Sequence, residues 1–171
     1  MTRPLRPPDW RPFLLVEPGQ RPPAPRPIAT PEGLGDRLRT AAFAERQARD
    51  AFAWAADRYA DAPEGLRRAW RALSASEARH LGMILRRMEA LGVRVEERPV
   101  SDALWRSLAA CPAAPDFARF MRRAEERGRA AELRFGERLA GSDAATSAMF
   151  AEIAREEAEH IAVADRFFPT P

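Results

Sequence analysis

The sequence predicts an all-α protein: four helices packed as a bundle of two antiparallel hairpins joined by a long crossover. Three observations predict it. Apolar residues recur at three- and four-residue steps over long stretches. Tight-turn signals separate the first stretch from the second and the third from the fourth, whereas about 23 residues separate the second from the third. No segment alternates in the manner of a half-buried strand. With 171 residues, 46% of them hydrophobic and 31% charged, one compact core is the default.

Residues 1–29 read as an extended Pro/Arg-rich segment, and residues 30–168 as the bundle. Ten of the 16 prolines fall in the first 31 residues, which forbids any useful length of helix there. Trp10 and the run Phe13-Leu14-Leu15-Val16 can pin this segment against the body. Thr30-Pro31-Glu32 is a helix start, with a capping hydroxyl and proline at the first helical position. The expected helices span roughly 31–60, 62–91, 115–140 and 142–167, with a short helical candidate at Asp102–Leu108 inside the crossover. Asp61 and Glu64 read as a capping pair around Pro63, Gly92 as the end of the second helix, and Gly141-Ser142 as the break between the last two.

All 28 basic residues are Arg, and the net charge of +3 resides entirely in residues 1–31. The neutral body carries no electrostatic footprint for nucleic acid or an anionic membrane. The longest apolar runs are far too short for a membrane span. A single Cys excludes a disulfide framework and a cysteine-rich zinc site. The N-terminus lacks an apolar signal core, so the expectation is a soluble, cytoplasmic protein.

The second helix places Leu66, Trp70, Leu73, Glu77, His80, Ile84, Met88 and Leu91 on one face. The fourth repeats this with Met149, Phe150, Ile153, Glu157, His160, Ala164 and Phe167. Each apolar stripe thus carries a Glu-x-x-His at its centre, and these are the chain's only two histidines. Residues three apart on a helix project side by side, so each turn offers a carboxylate and an imidazole to one ion. Spacing strengthens the pattern. Glu45 precedes Glu77 by 32 residues, and Glu125 precedes Glu157 by 32; the triplet Glu45, Glu77, His80 recurs 80 residues later as Glu125, Glu157, His160. That is an internal repeat of one helical hairpin.

One Glu from each of two helices, with Glu-x-x-His from each of the other two, is the ligand set of the ferritin-like di-iron carboxylate bundles, and the expected connectivity is theirs also. Four buried carboxylates are very costly unless neutralised, and two dications neutralise them. Oxygen and imidazole donors suit two Fe ions, with Mn or a mixed Fe/Mn pair as alternatives and Zn less suited. Glu77 and Glu157 are expected to bridge the metals, Glu45 and His80 to complete one site, and Glu125 and His160 the other. Glu126 competes with Glu125 on the third helix, and the 80-residue offset selects Glu125. Glu152, Glu156 and Glu159 read as solvated charges, Asp50 and Glu132 as ordinary structural groups with a place behind the metal ligands as the alternative for each, and Cys111 as a small buried residue.

The same residues resemble a bacterial ferritin-like family known as domain of unknown function 455. Thr30-Pro31-Glu32-Gly33 and the helix carrying Glu45 are similar to its opening motif and first ligand helix. Ser76-Glu77-Ala78-Arg79-His80-Leu81 resembles its second helix, Leu104-Trp105 its crossover, and Glu125-Glu126-Arg127-Gly128 its third-helix motif. Glu156-Glu157-Ala158-Glu159-His160-Ile161-Ala162-Val163 with Arg166-Phe167-Phe168 resembles its last ligand helix. The likeness spans about residues 20–168. The chain departs from it in looking shorter at both ends and in carrying Phe43 where family members commonly have His. The resemblance implies a ferritin-like di-metal fold and no particular reaction.

The leading functional expectation is an oxygen-activating oxidase or hydroxylase whose partners are dioxygen, an unidentified small-molecule substrate and an electron donor. Ferrous-iron oxidation for storage or detoxification, and a metal-stabilised non-catalytic bundle, are the alternatives. A homodimer is compatible with the sequence. Tyr59, the only tyrosine, lies 14 residues beyond Glu45, about 21 Å along a straight helix, too far for a radical partner of the metals.

Overall fold

The computed structural model describes residues 8–169. Among them it contains five α-helices and no strand: α1 (Pro31–Arg58), α2 (Glu64–Ala90), the short α3 (Ala103–Ala109), α4 (Ala114–Leu139) and α5 (Ala144–Phe167). Residues 1–7, with Arg3 and Arg6 of the Pro/Arg-rich segment, lie outside the described residues. No described helix is long and apolar enough to cross a membrane.

Local chemistry sets the helix ends. Thr30 caps α1, its hydroxyl accepting from Gly33 N at 3.0 Å, with Pro31 following. α2 ends in a Schellman arrangement: Gly92 takes φ +68°, Gly92 N donates to Glu89 O, and Val93 N donates to Met88 O. Two expectations change. The Asp61–Glu64 capping pair does not form; Pro63 occupies the cap without a side-chain bond, and Glu64 pairs with Arg68 one turn on. The last helix starts two residues late because Asp143 is its cap, accepting from Thr146 N. Leu91, expected on the buried stripe, lies beyond the end of α2 and is exposed.

Side-chain pairings fix the directions. Ser74 reaches Arg49 O, Arg67 reaches Ala56 O, and Arg39 reaches Arg94 O, so α1 and α2 run antiparallel. Ser147 to Gly136 O and Arg129 to Ala154 O do the same for α4 and α5. Across the hairpins, Ser76 meets His160 while Arg87 meets Thr146, so α2 and α5 are also antiparallel. Long helices that alternate in direction around a shared interior bury Phe43, Phe52, Leu66, Ile84, Phe117, Phe150 and Ile153 between them.

The segment before α1 is a strap over this body. Trp10 and Phe13 are buried, and Trp10 packs edge-on against Phe43 and Trp105; each such burial stabilises by roughly 2–3 kcal/mol. Val16 N donates to Val100 O and Val100 N to Leu14 O, which ties the strap to the crossover and leaves Leu14 and Leu15 exposed. Gly33 lets the chain turn in closely: a β-carbon there would stand 1.8 Å from Pro27 O. Arg26 anchors the strap, donating to Asp36 and Glu97. Gln47 secures the crossover, accepting from Trp105 N and donating to Ser101 O.

Asp36 joins three parts of the chain. Buried on α1, it accepts from Arg26 of the strap, Arg39 of its own helix and Arg98 of the crossover. Burial alone would raise its pKa; the hydrogen bonds from Arg26 and the charge of Arg98 overcome this and hold it well below the usual carboxylate range. A depressed carboxylate stabilises the fold above its unfolded pKa near 3.9 and loses that effect as pH falls. Asp36→Asn is therefore expected to cost about 3 kcal/mol at pH 7, because it leaves Arg98 without a carboxylate and Arg26 and Arg39 with Glu97 alone. Urea unfolding at pH 7 and pH 3 checks this: the parent should lose more stability on acidification than the variant.

Candidate metal centre

The stripes of α2 and α5 face one another at mid-bundle. Because these helices run antiparallel, each Glu of one stands opposite the His of the other. His160 Nδ1 lies 2.7 Å from Glu77 Oε1, and His80 Nδ1 lies 3.1 Å from Glu157 Oε1. Within each helix the His Nδ1 is also 3.3–3.5 Å from the Glu one turn earlier. Glu45 enters from α1, 3.5 Å from His80 Nδ1. Glu125 enters from α4. The two imidazoles stack with centroids 5.5 Å apart.

The six residues singled out in the sequence thus come together as two overlapping groups. Glu45, Glu77, His80 and Glu157 form one; Glu77, Glu125, Glu157 and His160 form the other. In each, one potential ligand atom per residue lies within 4.8 Å of all the rest. Glu77 and Glu157 belong to both. All six side chains are at most 9% exposed. Apart from these mutual contacts, both oxygens of Glu77, both of Glu157, and Nδ1 of each histidine have no hydrogen-bond partner despite complete burial. Such orphaned atoms are expensive in a folded protein unless something else satisfies them.

Electrostatics leads to the same point. Burial, then the charge of Glu77, raises the pKa of Glu45; burial and the charge of Glu157 raise that of Glu125. Burial opposes ionisation of Glu77 and Glu157 as well, but contacts with the two histidines, and for Glu157 with Glu125, lower both. Burial works against the imidazolium of His160, yet Glu157 and Glu77 push its pKa up to about 9, and His80 shifts upward for the same kind of reason. Four carboxylates buried together thus oppose one another's charge, and the two imidazoles offset only part of it. Two divalent cations would match the charge of four carboxylates, so carboxylate and imidazole donors in this number fit a pair of such ions.

Two residues complete the centre that sequence reading missed. His80 Nε2 lies 2.8 Å from Glu156 Oε2, and His160 Nε2 lies 3.0 Å from Ser76 Oγ. With Nε2–H donating outward, Nδ1 keeps its lone pair toward the cluster. Glu156, expected as a solvated charge, is only 19% exposed and also pairs with Arg79; Glu152 and Glu159 are exposed as expected. The signal was present: Ser76 and Glu156 are themselves 80 residues apart, each directly before a shared Glu.

Glu132 also differs from the ordinary role expected of it. It is 5% exposed, its Oε2 makes no hydrogen bond, and burial with the charge of Glu157 pushes its pKa up to about 8. It borders a cavity of about 50 Å³ whose walls include Glu45, Glu77, Glu125 and Glu157. Asp50 is structural, pairing with Arg46 and Arg49. Phe43 is core, against Trp10 and Phe13. Tyr59 packs among Trp54, Trp70 and Phe117. Cys111 is half-buried rather than buried. A hollow of about 530 Å³ near the start of α1 touches none of the six residues.

The sequence profile of a family described as "Protein of unknown function (DUF455)" matches residues 2–170. No curated protein and no solved structure matches the chain.

Outward partners of metal-bound histidines typically contribute ten- to a hundredfold to affinity. Glu156→Gln is expected to weaken divalent-metal binding about tenfold or more, and Ser76→Ala less, because a neutral acceptor raises imidazole basicity less than a carboxylate does. Competition titration with a chelating dye reads both.

Proposed function

We propose that this chain, which belongs to the DUF455 family, is a ferritin-like di-iron carboxylate protein that activates dioxygen to oxidise or hydroxylate a small organic molecule. One observation carries the reading: two buried four-residue groups share Glu77 and Glu157, and their orphaned atoms converge. Glu77 and Glu157 would bridge the ions. Glu45 and His80 would complete one site, Glu125 and His160 the other. Fe is the natural occupant for this mixture of oxygen and imidazole donors, with Mn as the nearest substitute.

Bound ferrous ions would supply the electrons that reduce dioxygen, which neither carboxylate nor imidazole can do. The chain's own residues do the rest. The bundle holds the carboxylates away from bulk water. Ser76 and Glu156 orient the imidazoles. Glu132, a buried carboxyl beside the bridging groups, is placed to exchange a proton with whatever occupies the small inner cavity.

A protein that oxidises iron as cargo needs a polar path for the ion. One opening that reaches Glu45 and Glu132 from outside is walled mainly by Ala41, Ala44, Gly128, Ala131 and Phe135, with Arg37 its single cationic side chain. Such walls favour an organic substrate.

Metal analysis of protein expressed with iron tests the reading. Two ions per chain are expected in the parent and none in the Glu77→Ala, Glu157→Ala double variant; a parent that binds no metal would overturn it. Anaerobic ferrous protein mixed with dioxygen should take up the gas once, in proportion to bound iron. Sustained uptake with excess ferrous iron would instead favour iron handling, and no uptake would leave a non-catalytic metal-stabilised bundle.

A further inference from the structure

A second cavity, about 360 Å³, runs along the seam between α1 and α4. It shares Ala44, Glu45, Gly128 and Glu132 with the smaller cavity against the carboxylates, so the two form one route inward. Its size is that of a small-molecule site. Ala41, Ala44, Ala131 and the Phe135 ring make the walls apolar, and Pro25 of the strap closes one side. The strap is held there by the bonds of Arg26 to Asp36.

Two polar groups in this groove are unsatisfied. Arg37 Nη1 is buried without a hydrogen bond, while its guanidinium lies over the Phe135 ring. Glu132 Oε2 is the other. Arg37 and Glu45 are eight residues apart on α1, about 12 Å along the axis, so the cation stands at the outer end of the groove and the carboxylates at the inner end. Arg37 lines the groove and has no carboxylate partner among the ion pairs of the described residues, so its guanidinium calls for an anion. The apolar walls call for a hydrocarbon body. Only one cation serves the groove and two carboxyl groups border it, which disfavours a dianionic phosphate and favours a head group of single charge.

We propose that this groove binds a small amphiphilic monocarboxylate, with its carboxylate on Arg37 and its hydrocarbon chain directed along Ala41, Ala44 and Ala131 toward Glu45 and Glu132. As a statement of substrate class it rests on the di-metal reading; as a statement of binding it does not. Gly128 gives the test its cleanest variant. A β-carbon there meets nothing within 4 Å, so a side chain at this position starts out in open space and occupies the groove.

The experiment is calorimetric titration of the whole chain, metal-free and iron-loaded, with octanoate and with octanol as its uncharged counterpart. Saturable one-to-one binding of octanoate is expected, about tenfold or more tighter than octanol, the scale of one charge-assisted hydrogen-bonded pair. Arg37→Leu should remove that preference while keeping the octanol affinity. Gly128→Phe, checked for native helicity by circular dichroism, should abolish binding of both. Equal affinity for the two ligands, or octanoate binding unchanged in both variants, would overturn the proposal. Octanoate binding by metal-free protein that also fails to take up iron would uphold the groove and sink the di-metal reading alone. Iron uptake without octanoate binding would do the reverse.

Discussion

Four carboxylates confined within an apolar bundle are the constraint on which the rest of this structure turns. Glu45, Glu77, Glu125 and Glu157 are each at most 9% exposed, and none has an arginine partner among the ion pairs of the described residues. A buried Asp or Glu without such a partner normally protonates or moves to the surface. Here burial and mutual repulsion push Glu45 and Glu125 toward the neutral form, while the imidazoles favour the charged form of Glu77 and Glu157. Apart from these mutual contacts, Glu77, Glu157 and both Nδ1 atoms have no hydrogen-bond partner. A dinuclear metal centre would remove the conflict, because these ligand atoms already converge on common points.

Antiparallel packing of α2 and α5 generates that convergence from a simple repeat. One Glu-x-x-His per helix, laid head to tail, sets each carboxylate against the opposite imidazole. The residue before each shared Glu then falls behind the opposite ring, which is why Ser76 and Glu156 reach His160 and His80. The repeat is not perfect. One histidine is backed by a carboxylate that also holds Arg79, the other by a neutral hydroxyl. The two halves of the centre are therefore chemically unequal although their carboxylate and imidazole donors are the same in kind.

The scaffold around the centre is held by polar knots and by aromatic packing. Asp36 links strap, α1 and crossover, and Gln47 ties the crossover to α1. Trp10, Trp105 and Trp54 continue into Tyr59, Trp70 and Phe117 as a contiguous set of ring contacts. The seam between α1 and α4 is closed at one end, where Phe52, Trp54 and Tyr59 meet Phe117, and toward the other end it is lined largely by alanine and glycine and stays open. Rigid packing at one end and small residues at the other together determine where a molecule can approach the carboxylates.

The helices, the two hairpins and the six carboxylate and histidine positions were legible in the sequence, since each depends on spacing along one chain. A 3.6-residue period places Glu77 with His80 and Glu157 with His160, and the 32- and 80-residue intervals add Glu45 and Glu125 without knowledge of any contact. Tertiary structure alone decided the rest. Whether Glu156 is solvated or behind His80 depends on the rotation of α5 against α2, and no local pattern encodes that angle. The burial of Glu132, the orphaned Arg37 donor and the groove between them arise from the distance between α1 and α4, two helices separated in the chain by a hairpin and a crossover. Local periodicity determines which residues share a face; only the packing of faces from distant segments determines what each buried charge meets.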